Sequence, residues 1–320
     1  MQAGVVRGTR WTALVVGIAL GAVLVGCSGP DAPSGGTSRP VDSAPAPRPS
    51  ALTAAPTVSA NADSAFAALE RGSDARLGVV AVDTESGTTL AYRGGDRFPF
   101  ASTNKVFIAA AVLDRSSAAD LDTVVHYDRG DLLAYAPVTA RHVDTGMTVL
   151  ELVDAAVSMS DNTAANLLVE RLGGPDAVEA WLRGIGDRTT RVDRLEPELN
   201  AATPGDVRDT STPEQFAADL RDVLLGDVLD ADDRRVLQRA MLATTTGDGT
   251  IRAGVPSGWR VADKTGTGEY GVRNDIGLVT PPGRRPIVLV VMTRTDRPDA
   301  GPSDALVAEA TRTAVGALRR

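Results

Sequence analysis

Ser102 and Lys105 stand three residues apart in the stretch Phe98-Pro-Phe-Ala-Ser-Thr-Asn-Lys-Val-Phe107. A serine hydroxyl becomes a nucleophile when one group removes its proton and another stabilises the charge that develops. The apolar run over residues 106–113 predicts a helix opened by Ser102. The first turn of such a helix offers unpaired N–H groups and the positive end of the helix dipole. Lys105 then falls on the same helix face as Ser102. Two ordinary roles compete with this reading, because serine is a common helix cap and lysine is usually a solvated surface residue. Lysine usage favours chemistry. The chain has two lysines, Lys105 and Lys264, and almost all its other positive charge is arginine. A lysine in such a chain suggests a role for a compact ammonium whose proton affinity burial can lower.

Three further motifs carry side chains suited to the same chemistry. Ser160-Asp-Asn162 follows an apolar periodic segment, where it would also serve as an ordinary helix start. Lys264-Thr-Gly-Thr-Gly268 stands at the end of a strand-like segment, and its glycines would let a ligand approach the backbone. Arg194-Leu-Glu-Pro-Glu-Leu-Asn200 lies in a stretch without period, where it would otherwise be a charged turn.

The elements that must position these residues are legible in outline. Residues 1–26 read as a targeting segment, with Arg7 and Arg10 ahead of an apolar run too short for a membrane span. That run ends Leu24-Val-Gly-Cys27, a pattern resembling a bacterial lipobox, so lipidation of Cys27 and an extracytoplasmic, membrane-anchored location are expected. Residues 27–60 are rich in Pro, Ser and Ala and read as a disordered linker. The folded part is expected over residues 61–320, with strands over 77–83, 88–92, 259–263, 270–280 and 286–293. Helices are expected over 64–70, 147–159, 161–172, 175–184, 213–225, 232–242 and 303–318, and a long functional loop over 186–211. Strands at both ends with helices between predict an α+β fold. Its antiparallel sheet would come from about residues 61–98 and 245–320, with an all-helical subdomain inserted at about 99–244.

Together the motifs resemble the penicillin-recognising serine hydrolases, and specifically the class A β-lactamases, over essentially all of residues 61–320. Met159-Ser-Asp-Asn-Thr-Ala-Ala-Asn-Leu-Leu168 extends the similarity beyond the motif itself. The resemblance implies that Ser102 is the acylated nucleophile, that Lys105 activates it and that Ser160 passes a proton to the β-lactam nitrogen. It implies that Asn162 binds the acyl-amide side chain of the substrate. Lys264 and Thr265 would bind the substrate carboxylate with help from Arg273, while Gly266 and Thr267 line the site. The backbone N–H groups of Ser102 and Thr267 would form the oxyanion hole. Glu196 and Asn200 would hold the water that hydrolyses the acyl-enzyme, Arg194 and Asp209 would close the loop as an ion pair around a cis Glu196–Pro197 bond, and Tyr135 would stand at the cleft rim. Whether Lys105 or Glu196 takes the Ser102 proton stays open at this stage.

Composition sets limits on other classes. A net charge of −8 and the lack of a basic patch interleaved with aromatics argue against a nucleic-acid partner. One cysteine permits no intrachain disulfide, and His126 and His142 stand in no metal-ligand spacing, so neither metal nor cofactor is expected. A monomer acting on small β-lactams is the expected form. The alternatives are a D,D-peptidase and a penicillin-sensing domain that is acylated without turnover. Both share the Ser, Lys and Lys-Thr-Gly motifs but lack the deacylating Glu, so Glu196 and Asn200 argue against them.

Overall fold

The computed structural model describes residues 60–319. The expected targeting segment, the linker up to residue 59 and Cys27 lie outside the described residues. Helix α1 (Ala60–Ser73) leads into strands β1 (Arg76–Asp83) and β2 (Thr89–Tyr92). The two-residue strand β3 (Phe98–Pro99) precedes α2 (Lys105–Arg115), followed by α3 (Ala118–Leu121), β4 (Val124–Val125), β5 (Met147–Thr148) and α4 (Val149–Ser158). Next come α5 (Asn162–Leu172) and α6 (Pro175–Gly184). A long loop then reaches β6 (Thr210–Ser211), α7 (Pro213–Leu225) and α8 (Ala231–Leu242). The last elements are α9 (Ile251–Gly254), β7 (Arg260–Thr267), β8 (Arg273–Thr280), β9 (Ile287–Arg294) and α10 (Asp304–Leu318).

The main sheet is antiparallel with strand order β2-β1-β9-β8-β7, so the first strands pair with the last. Both faces are buried, and the side chains sort by alternation. Leu77, Val79, Ala81, Leu289 and Val291 join a core with α1 and α10, whereas Val80, Val82, Val288 and Val290 face the larger core of the helical region. Helix α2 runs through that larger core, and every residue from Lys105 to Leu113 is buried. An apolar helix with no solvent face is what its Ala-rich, nearly uncharged sequence requires. Among the described residues no helix is long and apolar enough to cross a membrane.

Local chemistry sets the helix ends that position the site. Thr148 accepts a hydrogen bond from Glu151 N, while Glu151 reaches back to the Thr148 N–H in a capping box. The expected helix from 147 therefore starts at Val149, and Met147 and Thr148 pair with Val125 and Val124 instead. Ser102 does not open α2. It lies in a 3₁₀ turn, Ala101–Asn104, entered through Ala101 at a φ of +48°, and the α-helix starts at Lys105. The strand expected to stop at residue 263 continues to Thr267, because Lys264 to Thr267 go on pairing with β8, from Lys264 opposite Ile276 to Thr267 opposite Arg273. The strand expected from residue 270 begins at Arg273, since Gly268 N and Val272 N are spent within a turn, on Val272 O and Glu269 O.

At the base of the long loop, Asp187 Oδ1 accepts hydrogen bonds from Thr189 N and Thr190 N. Burial pushes the nearby Asp219 carboxyl, on α7, well above the usual carboxylate range, and the Asp187 carboxylate adds to the effect. The folded state then holds a proton that the unfolded state releases, so this site's contribution to stability is lost as pH rises from the ordinary carboxylate value through the raised one. Asp219→Asn keeps the group neutral. It is expected to raise the melting temperature at neutral pH by an amount equivalent to about 1 kcal/mol, the gap closing as pH falls to about 4. Thermal unfolding of both proteins across that range checks this.

Candidate active site

The turn that carries Ser102 is clamped to the sheet. Asn274 Nδ2 donates to Pro99 O at 2.7 Å and to Phe100 O at 3.2 Å, while Asn274 Oδ1 accepts from Thr293 N. Gly266 of β7 lies against the same turn. A Cβ there would stand 2.8 Å from Phe100 O and 3.1 Å from Ser102 N, so only glycine lets the strand run this close to the Ser102 turn.

Ser102 Oγ donates to Glu196 Oε1 at 3.0 Å, and Lys105 Nζ forms an ion pair with that oxygen at 2.9 Å. Lys105 Nζ also donates to Asn162 Oδ1 at 2.5 Å, to Ser160 O at 2.9 Å and to Ser160 Oγ at 3.4 Å. Lys264 Nζ donates to the same Ser160 hydroxyl at 2.9 Å. The Ser160 side chain thus links the two lysines. Its own backbone has a φ of +57°, just ahead of Asp161, which caps α5 by accepting from Ala164 N. The Asp161 carboxylate is fully buried and takes further hydrogen bonds from Val138 N, Thr139 N and Thr139 Oγ1, which ties the start of α5 to the segment before it.

Glu196 arrives on the long loop, after which Glu198–Asn200 makes a 3₁₀ turn. The Glu196–Pro197 bond is cis. Asn200 Nδ2 donates to Glu196 Oε2 at 2.5 Å. Arg194 Nε donates to Asp209 Oδ2 at 2.5 Å, and the other Asp209 oxygen accepts from Asp193 N and Arg194 N at 2.9 and 3.0 Å. The loop is therefore closed across its neck by one buried carboxylate. On the far wall, Arg273 donates to Thr267 Oγ1 and Thr246 O, each at 3.0 Å, and the Thr246 and Thr265 hydroxyls are 2.6 Å apart. Ser102, Ser160, Asn162, Asn200, Thr265, Thr267 and Arg273 line one cavity of about 320 Å³, with the half-exposed Tyr135 at its edge. Of the other side chains singled out in the sequence for catalysis or substrate contact, Lys105, Glu196 and Lys264 are each bonded to a serine that lines this cavity.

A family model described as the β-lactamase enzyme family matches residues 61–318. The chain belongs to the β-lactamase family. A β-lactamase of Amycolatopsis lactamdurans is 53% identical over 273 residues, covering 85% of this chain and 89% of the relative. A β-lactamase of Bacillus subtilis is 48% identical over 254 residues, covering 79% and 83%. Among solved structures, a class A β-lactamase from Clostridium kluyveri superposes with a TM-score of 0.80 at 44% identity, covering 81% of this chain and 99% of that one. An ancestral class A β-lactamase, 52% identical, superposes with a TM-score of 0.76 over 80% of this chain and 99% of that one.

In this β-lactamase the site's electrostatics follow from burial. Both lysines are almost fully buried. Burial lowers the proton affinity of the Lys105 amine, with the Glu196 and Asp161 carboxylates opposing the shift. Burial also pushes the Lys264 ammonium well below the usual lysine range, and the Lys105 charge pushes the same way. At Lys105, as expected for a lysine lowered by burial, loss of solvent is the main cause.

Several residues of the site were not singled out in the sequence. Asn166 Nδ2 donates to Glu196 O at 2.8 Å and its Oδ1 accepts from Glu196 N at 3.0 Å, so it grips the backbone of the loop glutamate. It stands one turn beyond Asn162 on α5, and that spacing was the available signal. Asp304, at the start of α10, accepts from Arg273 Nε at 2.5 Å. Nothing in the sequence links those two residues, which are 31 positions apart.

The alkaline limb of kcat/KM for a carboxylate-bearing substrate is expected below the usual lysine range of about 10.4, because an ammonium with lowered proton affinity discharges early. Lys264→Arg keeps its proton at all these pH values and should move that limb upward. A pH–rate profile of both proteins is the check, and an unmoved limb would assign it to another group.

Proposed function

We propose that this β-lactamase hydrolyses the β-lactam ring of penicillins and related antibiotics through an acyl-enzyme on Ser102, and so confers antibiotic resistance. The observation that carries the reading is the sharing of Glu196 Oε1 between the Ser102 hydroxyl, at 3.0 Å, and the Lys105 ammonium, at 2.9 Å. Glu196 and Lys105 act as one base, the carboxylate accepting a proton and the ammonium passing one on. As Ser102 Oγ bonds to the ring carbonyl carbon, its proton passes to this pair and the carbonyl oxygen gains negative charge. The N–H groups of Ser102 and Thr267 receive that charge. When the ring C–N bond breaks, Ser160 gives its proton to the departing nitrogen and regains one from Lys105, 3.4 Å away. Lys264 holds the Ser160 hydroxyl in place and, with Thr265 and Arg273, attracts the substrate carboxylate. Asn162 binds the acyl-amide side chain, and Tyr135 covers the outer edge.

The second half-reaction needs a base after Ser102 is esterified. Glu196, steadied by Asn200, takes a proton from water as the water oxygen bonds to the acyl carbon. Ser102 Oγ then leaves and recovers its proton. A D,D-peptidase or an acylated sensor has no use for a carboxylate in this position, and the relatives named above are β-lactamases. The Leu24-Val-Gly-Cys27 pattern supports an exported protein tethered to the cell membrane by a lipid on Cys27.

The protein is expected to hydrolyse a chromogenic cephalosporin equally well with and without a chelator; chelator-sensitive turnover would contradict a serine mechanism. Glu196→Ala should still take up a penicillin at Ser102, since Lys105 remains as acylation base. It should release the adduct roughly 10²–10⁴-fold more slowly, the usual worth of a general base. Mass spectrometry after mixing reads the adduct, and turnover equal to the parent's would remove Glu196 from this role.

A further inference from the structure

We propose that Asn104 is a positioning residue for Glu196, acting through a single water molecule bound beneath the loop. This rests on the reading that Glu196 activates the deacylating water. Asn104 is 1% exposed, and neither atom of its carboxamide has a hydrogen-bond partner within the protein. Buried amides are almost always satisfied, so an orphaned one points to a further partner. Asn104 lines a small cavity. Ala101, Asn104, Lys105 and Ile108 form its floor at helical spacing, Ala165, Asn166 and Val169 of α5 form one wall, and Val192, Arg194, Leu195, Glu196 and Leu199 of the loop form the roof.

The cavity leaves about 10 Å³ for the centre of a water molecule, the space that one water needs. A carboxamide offers that water both a donor and an acceptor. Asn166 already makes one bond through each of its side-chain atoms, both to the Glu196 backbone, whereas both atoms of Asn104 are unmet. The rest of the floor is alanine, isoleucine and the stem of a lysine whose ammonium is committed to Glu196, Ser160 and Asn162. Asn104 is thus the one group of the floor free to hold water, and the roof it would support carries Glu196. Asn166 holds that residue's backbone from α5 and Asn200 holds its carboxylate from the loop; the Asn104-bound water supports the loop from α2.

A role in positioning Glu196 falls on deacylation more than on acylation, because Lys105 can serve the first step and nothing replaces Glu196 in the second. Asn104→Leu has a similar shape and no polar atom. With a penicillin it is expected to lower kcat and KM together by about 10- to 100-fold, leave kcat/KM within about twofold, and accumulate acyl-enzyme detectable by mass spectrometry. Asn104→Ser, small but able to hold water, should recover most of kcat. A crystal structure of the unsubstituted protein should show one ordered water on the Asn104 carboxamide. The role is overturned if Asn104→Leu turns over like the parent, or if kcat falls with KM unchanged, the mark of a smaller active fraction. It is equally overturned if the cavity is dry, an observation that does not depend on the variant folding. If the parent itself hydrolyses no penicillin, the reading of the function fails first, which the same assay shows.

Discussion

The centre of this molecule is a charge problem. Two ammonium groups and a carboxylate are taken out of water in contact with two serines, Ser160 and Ser102, and burial of unpaired charge is strongly unfavourable. Lys105 is satisfied only because Glu196, Asn162 and the Ser160 carbonyl converge on it from two separate segments. That convergence in turn requires α2 to be buried along its length and α5 to start at a fixed height, held there by the buried Asp161. It also requires a long polar loop to be folded against the helices. The architecture can be read as the set of supports that this cluster needs.

The loop shows how such support is built where there is no repeating secondary structure. Its neck is closed by Asp209, whose two oxygens serve one guanidinium and two backbone N–H groups, and its tip is held by Asn166. Each of these contacts joins residues 15 or more apart, so the loop's order is tertiary in origin. A segment held in this way can place a carboxylate as firmly as a helix would, provided that every polar group beneath it is satisfied.

Much of this was legible before the structure, for identifiable reasons. The motif residues stand out because their types are scarce or their combination is specific, as with two lysines in a chain that otherwise uses arginine. The bounds of α6 and α7 follow from Pro175 and Pro213, which are tolerated at a helix start and not within. The two-residue pairs β3–β6 and β4–β5 were illegible, because two residues have no period. The grip of Asp304 on Arg273, and that of Asn274 on the Ser102 turn, were illegible for a different reason. Both depend on which elements become neighbours, and only the completed sheet decides that. The 3₁₀ turn at Ser102 was mistaken for helix since both place Lys105 near Ser102, and only the backbone angle at Ala101 separates them.

The strand order has a consequence in time. Since β1 pairs with β9, and the strand bearing Lys264 is joined to β1 only through β8 and β9, the sheet stays open until residues 287–294 have emerged. Ser102 exists early in the growing chain, yet the strand that must lie against its turn is made some 160 residues later, a separation set by the 162 positions between Ser102 and Lys264. An unfinished chain therefore holds Ser102 without its surroundings. The cluster around Ser102 can assemble only once the sheet that carries Lys264 has closed.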